Sequence, residues 1–211
     1  MKLTKERVLL ISLALILIVR GFFIDWYRVP SDSMYPILER GDYLAVNKLA
    51  YGFRFPFFKT MEKQWASPQR GDIILFFEPE DNAVLVKRVI GIGGDTINVE
   101  NGQVSLNGKV AQYVPVTGLT NEPGIKQEGY REIWSDSRYN YVLKTLEERK
   151  YHQGANNGRN AGKFIVPEGK LMLMGDNRDN SLDSRFIGMI PEKSVIGKVY
   201  LSEIKGIDNK E

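Results

Sequence analysis

The sequence predicts a mostly β fold behind a single apolar amino-terminal helix. Three observations carry that expectation. The first is a nearly all-apolar run, "VLLISLALILIV", from Val8 to Val19. The second is a succession of short β-prone runs between turn signals from residue 40 onward. The third is "ENGQVSLNG", in which an Asn-Gly pair separates alternating runs, a strong hairpin signal. The totals agree. A chain of 211 residues, 43% hydrophobic and 26% charged, is globular in composition and long enough for one substantial domain plus a smaller insert.

Lys2, Lys5 and Arg7 precede the apolar run, Arg20 interrupts it, and Gly21 to Ile24 resume it. As a helix, Val8 to Ile24 would be about 26 Å long, slightly short of a hydrocarbon core of roughly 30 Å. Arg20 can snorkel to the interface, and Phe22, Phe23, Trp26 and Tyr27 resemble an interfacial aromatic belt. The expectation is a cytoplasmic segment over 1–7 and an uncleaved transmembrane anchor over 8–24. The basic residues ahead of the span then put the remainder outside the cytoplasm, with the lipid bilayer as a partner. The competing reading is a cleavable signal peptide. Against it, no small-x-small site follows the apolar run, and bulky aromatics stand where one would be. A buried core helix is the third reading.

Beyond the helix, "DYLAVNKLAY", "DIILFFE", "AVLVKRVIGI", "DTINVENGQVSLNG" and "KLMLMG" read as strands. "RGD" at 70–72 introduces one of them and reads as a turn. From 109 to 162 the composition turns polar and Tyr- and Asn-rich, with one helix-like piece near "YVLKTLEERKY". That stretch is expected to form an inserted subdomain. The β domain then comprises 25–108 and 163–205, ahead of a tail over 206–211. "YGFRFPFFKTMEKQW", residues 51–65, reads either as core plus loop or as an apolar surface resting on a bilayer.

Net charge is only +3 and no basic stripe is present, which argues against nucleic acid as a partner. Without cysteine there is no disulfide framework, thiolate zinc site or Cys-His protease. A lone His152, set in the Gly- and Asn-rich "KYHQGANNGRNAGKF", excludes a multi-histidine metal site. Neither a metal nor a cofactor is expected. A Ser-His-Asp triad would have to use His152, whose surroundings read as a loop.

"VPSDSMYPIL", residues 29–38, sets Ser31 and Ser33 around Asp32 in a proline-braced turn. This is ordinary turn chemistry, or it holds a nucleophile. A serine hydroxyl needs a base; with histidine so scarce the alternative is lysine, since arginine does not deprotonate. A free lysine is neutral at pH 7 only on the order of one time in a thousand, and burial among apolar groups raises that fraction. Lys87 in "AVLVKRVIGIGGD" sits within an apolar strand, with Leu85 and Val89 on its own face and Arg88 on the other. The bland alternative is a lysine snorkelling from a sheet surface. Lys48 in "AVNKLAYG" is a rival nearer a turn. "GDNRDNSLDSRFIGMIP", residues 175–191, concentrates Asp176, Asn177, Arg178, Asp179, Ser181, Asp183 and Arg185 after an apolar strand. A calcium loop fails here, because Ser184 and Ile190 fall where glycine and a carboxylate are required. "GIGGDT" lacks the spacing of a phosphate loop. "SEIK" at 202–205 matches S-x-x-K without the companion motifs and is read as chance.

Taken together and in this order, the three segments resemble the bacterial type I signal peptidases. "VPSDSMYPIL" is similar to that family's serine box, "RGDIILF" with "VKRVIGIGGD" to its lysine boxes, and "GDNRDNSLDSRFIGMIP" to its most distinctive box; "VRGFF" also fits. The resemblance covers roughly 8–100 and 163–200. It implies an all-β catalytic domain with an inserted second domain and a Ser-Lys dyad of Ser33 as nucleophile and Lys87 as general base. Ser31 and the Ser33 backbone N–H would form the oxyanion hole. Ser181 would orient Lys87, and Asp183 and Arg185 would brace the loop. Val29, Met34, Leu38, Leu85 and Val86 would line the substrate pockets. The implied substrates are signal peptides of exported preproteins, cut after a small-x-small pattern without metal or cofactor. Asp32 is a departure, standing where the family often has glycine; the expectation is that it faces solvent. Three rivals remain: a dedicated maturation peptidase, another Ser-Lys peptidase such as a self-cleaving repressor, and an inactive β module used for binding.

Overall fold

The structure is a computed structural model and describes residues 4–56, 58–119, 127–145, 158 and 161–200. His152, the "SEIK" stretch and the 206–211 tail lie outside the described residues. Helix α1 (Lys5–Phe22) leads into β1 (Ile24–Arg28), β2 (Tyr43–Asn47), β3 (Gly52–Phe53), β4 (Lys63–Gln64), β5 (Ile73–Phe77) and β6 (Val84–Gly91). β7 (Thr96–Glu100), β8 (Gln103–Leu106), β9 (Lys109–Val110), β10 (Gln112–Val116), β11 (Gln127–Ile133) and β12 (Tyr139–Thr145) follow. The chain closes through β13 (Gly162–Ile165), β14 (Lys170–Met174), the single-turn α2 (Ser184–Ile187), β15 (Ile190–Pro191) and β16 (Val195–Tyr200).

A seven-stranded sheet in the order β1-β2-β16-β5-β6-β14-β15 forms the frame, with smaller sheets β13-β7-β8-β9, β10-β11-β12 and β3-β4 around it. The five expected runs are strands β2, β5, β6, β7–β8 and β14. The β7–β8 turn is the Asn-Gly pair, with φ of 49° at Asn101 and 72° at Gly102, the left-handed conformation this hairpin turn needs. β5 and β14 are near-continuous apolar runs because both their faces are covered. The carboxy-terminal half of β6 is likewise buried on both sides, so residues 87 and 88 lie on opposite faces and are both inside.

Two expectations need correction. No separate inserted domain is evident. The described part of 109–162 supplies β9, which extends the β7–β8 sheet, and β10–β12, an antiparallel sheet packed on the common core. Ala111 and Trp134 pack with Ile90, Ile97, Met172 and Met174, and Tyr141 packs on the cluster around Val29 and Met34. The helix-like reading of "YVLKTLEERKY" also fails as far as that stretch is described, since Tyr139–Thr145 is strand β12. Its aromatic and β-branched residues pair with β11 from Ile133↔Tyr139 to Gln127↔Thr145. Tertiary pairing there outweighs local helix preference.

α1 has 18 residues and none is buried; Leu9, Leu10, Ile16 and Leu17 are among the most exposed apolar side chains of the chain. It stops at Phe22, short of the expected Ile24, because Ile24–Arg28 pair with β2 from Ile24↔Asn47 to Arg28↔Tyr43. With Lys5, Glu6 and Arg7 at one end and Arg20 at the other, no helix among the described residues is long and apolar enough to cross a membrane.

Candidate active site

Three segments meet at one end of β6. Ser33 lies in the turn after β1, Lys87 in mid-β6, and residues 175–185 in the loop after β14. Lys87 Nζ lies 2.6 Å from Ser33 Oγ in a buried hydrogen bond. Lys87 is only 3% exposed and Ser33 8%. Burial lowers the Lys87 pKa to about 8, with the charges of Asp183 and Asp176 opposing and that of Arg185 assisting. At pH 7 that leaves roughly one amine in ten neutral.

The neighbouring cation shows why the contrast arises. Arg88 forms a forked pair with Asp176, both bonds at 2.7 Å, and a third bond at 2.8 Å to Gly71 O. One face of β6 thus supplies a carboxylate to its cation, while the other offers Lys87 a hydroxyl. A buried cation without a paired anion sheds its proton more readily.

The loop after β14 clamps the serine turn. Asn177 N donates to Ser33 O at 3.1 Å, and Asn177 Nδ2 donates to Asp32 O at 3.2 Å. Asp183 caps α2 and is itself held by Arg185, Nε at 2.8 Å and Nη2 at 2.9 Å, and by the Gly175 N–H at 2.9 Å. Burial alone would raise the Asp183 pKa; the Arg185 fork and these donors outweigh it and hold the group below the usual carboxylate range. A second buried pair joins this loop to β11. Both Glu132 oxygens accept from the Arg178 guanidinium, with Tyr113 donating to Glu132 at 2.6 Å and Asn140 at 3.2 Å.

Ser181 is only partly as expected. Its hydroxyl is buried beside the dyad, but no hydrogen bond reaches it among the described residues, from Lys87 or otherwise. It lies close enough to Asp183 to help keep that carboxylate ionised. Ser31 Oγ is 3.3 Å from Ser33 Oγ. Asp32 is half-buried rather than fully turned to solvent.

Val29, Leu85 and Val86 line a cleft of about 110 Å³ in front of the dyad, together with Tyr27, Leu44 and Leu75. The cleft exists because the sheet curls: the end of β1 faces the start of β6 although β2, β16 and β5 separate them in the order. Met34 and Leu38 do not line it. They are 0% and 3% exposed and form the core beneath, with Ile37, Val46 and Ile196. Size alone does not pick out this cleft. A cavity of about 330 Å³ elsewhere is lined by Arg70, Arg88 and Arg138, each already engaged by a carboxylate. Lys48 is not at the serine. Its amine donates to Arg20 O at 3.2 Å and lies 3.7 Å from Asp25.

Sequence reasoning assigned no role to Gly175, where a methyl group would overlap both the Ser33 carbonyl and the Ser181 hydroxyl. Gly175→Ala is expected to push the serine turn off the amine. Turnover should fall about 100-fold, while overpacking costs about 1–3 kcal/mol; steady-state kinetics beside a melting curve separate the two effects. Asn177 and Glu132 were also unassigned. Both act on backbone or on a partner far away in sequence, and nothing in their local pattern marks that.

The chain matches the family described as "Signal peptidase, peptidase S26" over residues 3–202. It is 33% identical over 222 residues to a signal peptidase I of Buchnera aphidicola subsp. Baizongia pistaciae, covering 89% of this chain and 72% of the relative. It is 34% identical over 203 residues to the signal peptidase I of Pseudomonas aeruginosa, covering 89% and 67%. A crystal structure of a signal peptidase I from Enterococcus faecalis V583 aligns over 63% of this chain and 97% of that one, at 25% identity and a TM-score of 0.37. With a family match over nearly the whole length, and two relatives of which most is covered, the chain belongs to the signal peptidase family, peptidase S26.

Proposed function

We propose that this protein is a membrane-anchored serine endopeptidase, a signal peptidase I, which removes signal peptides from exported preproteins after a small-x-small site, with Ser33 as nucleophile and Lys87 as general base. The observation that carries the reading is the 2.6 Å contact between a buried amine of lowered pKa and a serine hydroxyl.

Neutral Lys87 takes the Ser33 proton as Oγ attacks the scissile carbonyl carbon. The oxyanion is met by the Ser33 N–H, which makes no hydrogen bond among the described residues, and by the Ser31 hydroxyl. Losing one such donor typically costs roughly 10²–10³ in rate. The Lys87 ammonium then gives its proton to the leaving amine, the C–N bond breaks, and an acyl-Ser33 ester remains. A water deprotonated by Lys87 releases the acid and regenerates Ser33. Asp183 and Arg185 hold the loop against the dyad, with the Ser181 hydroxyl buried beside them.

The substrate lies extended. β14 pairs with β6 only from Arg88 to Gly91, so Val84–Lys87 have a ladder partner only on the β5 side. A peptide can add there as a strand, its small side chains entering the shallow wall of Val29, Leu85 and Val86. A pocket of this kind discriminates mainly by excluding bulk, since one methylene is worth only about 1–3 kcal/mol.

The anchor is α1. Its ring of exposed apolar side chains needs a cover; the apolar part, from Val8 to Phe22, is about 22 Å long, short of a full bilayer core, and Arg20 snorkels to the interface at its end. Exposed Phe55 and Phe58, linked to Phe22 through Phe53, extend that apolar surface, and with the exposed Trp26 and Trp65 they rest at the interface of the plasma membrane in this reading. The catalytic domain then stands on the extracytoplasmic side. From Ile24 to Ser33 a fully extended chain spans at most about 30 Å, which keeps Ser33 close to the membrane face.

Incubating the detergent-solubilised protein with an Ala-x-Ala preprotein should release a mature chain whose amino terminus follows the second alanine. Recovery of uncut preprotein would overturn the proposal. The rate should also follow the amine. kcat/KM is expected to rise about tenfold per pH unit below a pKa near 8 and to level off above it, as read from a pH-rate profile with a soluble peptide.

A further inference from the structure

The junction between α1 and the sheet is built, not merely linked. A helix ends with carbonyls that have no partner within the helix, and Lys48 donates to one of them, Arg20 O, at 3.2 Å. The Lys48 backbone N–H donates to Phe23 O at 2.8 Å. Asp25, the second residue of β1, accepts from Arg20 Nε at 2.9 Å and lies 3.7 Å from the Lys48 amine. At the same helix end, the Phe22 and Phe53 rings stack at 5.7 Å and 3° between planes, and Phe55 meets Phe53 edge-on at 4.9 Å. Only Phe23 separates α1 from β1, and β1 runs straight to the Ser33 turn. Lys48 and Asp25 keep only about 15% of their side-chain surface exposed, although the dyad uses neither.

We propose that Lys48 and Phe53 are positioning residues that lock the end of α1 to the catalytic sheet, so that the height of Ser33 above the helix end is fixed and selects which bond of a membrane-embedded signal peptide is cut. This rests on the reading of α1 as the anchor. A flexible joint would let the same dyad sample several depths and accept several small-x-small sites; a locked joint admits the one at matching height. A pocket that distinguishes substrates mainly by bulk leaves room for such a second filter.

The test uses the full chain in phosphatidylethanolamine/phosphatidylglycerol vesicles, with a preprotein carrying two Ala-x-Ala sites a few residues apart. Cleavage of a short soluble peptide by the same enzyme in detergent is the control. Lys48→Met and Phe53→Ala should each change the product ratio about tenfold in vesicles and leave the peptide rate within about twofold of wild type. Lys48→Arg, which keeps a donor for Arg20 O, should restore the ratio. An unchanged ratio in both variants overturns the proposal. So does a parallel loss of peptide and preprotein cleavage, which would mean ordinary structural damage. Extraction of the wild-type chain from the vesicles by alkaline carbonate would sink the anchor reading itself, and the junction proposal with it.

Discussion

Ser33→Ala and Lys87→Met are each expected to lower kcat/KM for preprotein cleavage on the order of 10⁴-fold or more, and the double variant little further, as for groups that act as one unit. Gel shift of preprotein to mature chain measures it. The two differ in their effect on stability. Lys87 has a folded-state pKa of about 8 against an ordinary 10.5, so between those values the unfolded chain binds more protons than the folded one. Stability from this group therefore rises with pH from about 8 to about 10.5, and below about 8 its full cost is borne, about 3 kcal/mol. Lys87→Met fills similar volume without the charge. Thermal unfolding in detergent at pH 7 should show it more stable than wild type by up to about 3 kcal/mol, with the gain fading toward pH 11. Ser33→Ala should show no such pH-dependent gain. A Lys87→Met protein with normal turnover would remove the dyad from the mechanism.

Glu132→Ala is expected to be the most damaging change outside the dyad. Glu132 is fully buried and, despite that burial, is held ionised by Arg178, Tyr113 and Asn140. Its removal strands the Arg178 guanidinium in the interior, at a cost of about 3–5 kcal/mol. Tm should fall by about 6–20 °C, at about 2–4 °C per kcal/mol for a chain this long. Activity should fall with it, because Arg178 also bonds Gly175 O at 3.2 Å, beside Ser33. Replacing both partners with apolar residues, Glu132→Leu with Arg178→Met, should recover much of the stability; circular-dichroism melts of the three variants measure it.

The strands that position the site were legible because each is a short apolar or alternating run with a turn residue at its end; "DIILFFE" and "ENGQVSLNG" are the clearest. Lys87 was legible for the same reason: a cation within an apolar strand is out of place on physical grounds. Residues 109–162 misled because a polar surface strand and an inserted unit look alike in composition. One tie between β11 and the core is a glutamate meeting an arginine 46 positions away, and no local pattern announces that. Met34 and Leu38 are apolar beside the nucleophile, and sequence cannot tell a pocket wall from the core behind it. Strand β1 was hidden because the same aromatic residues suit an interfacial belt and a strand.

The two adjacent cations of β6 carry a last implication. Sliding that strand by a single position against its neighbours would exchange its two faces along its whole length. Slipped one way, the Arg88 guanidinium would stand at the alcohol and Val89 at Asp176; slipped the other way, Lys87 would stand at Asp176 and Val86 at the alcohol. Such a molecule would be compact yet chemically silent, so correct alignment of one hairpin is as much a condition of turnover here as the identity of either side chain.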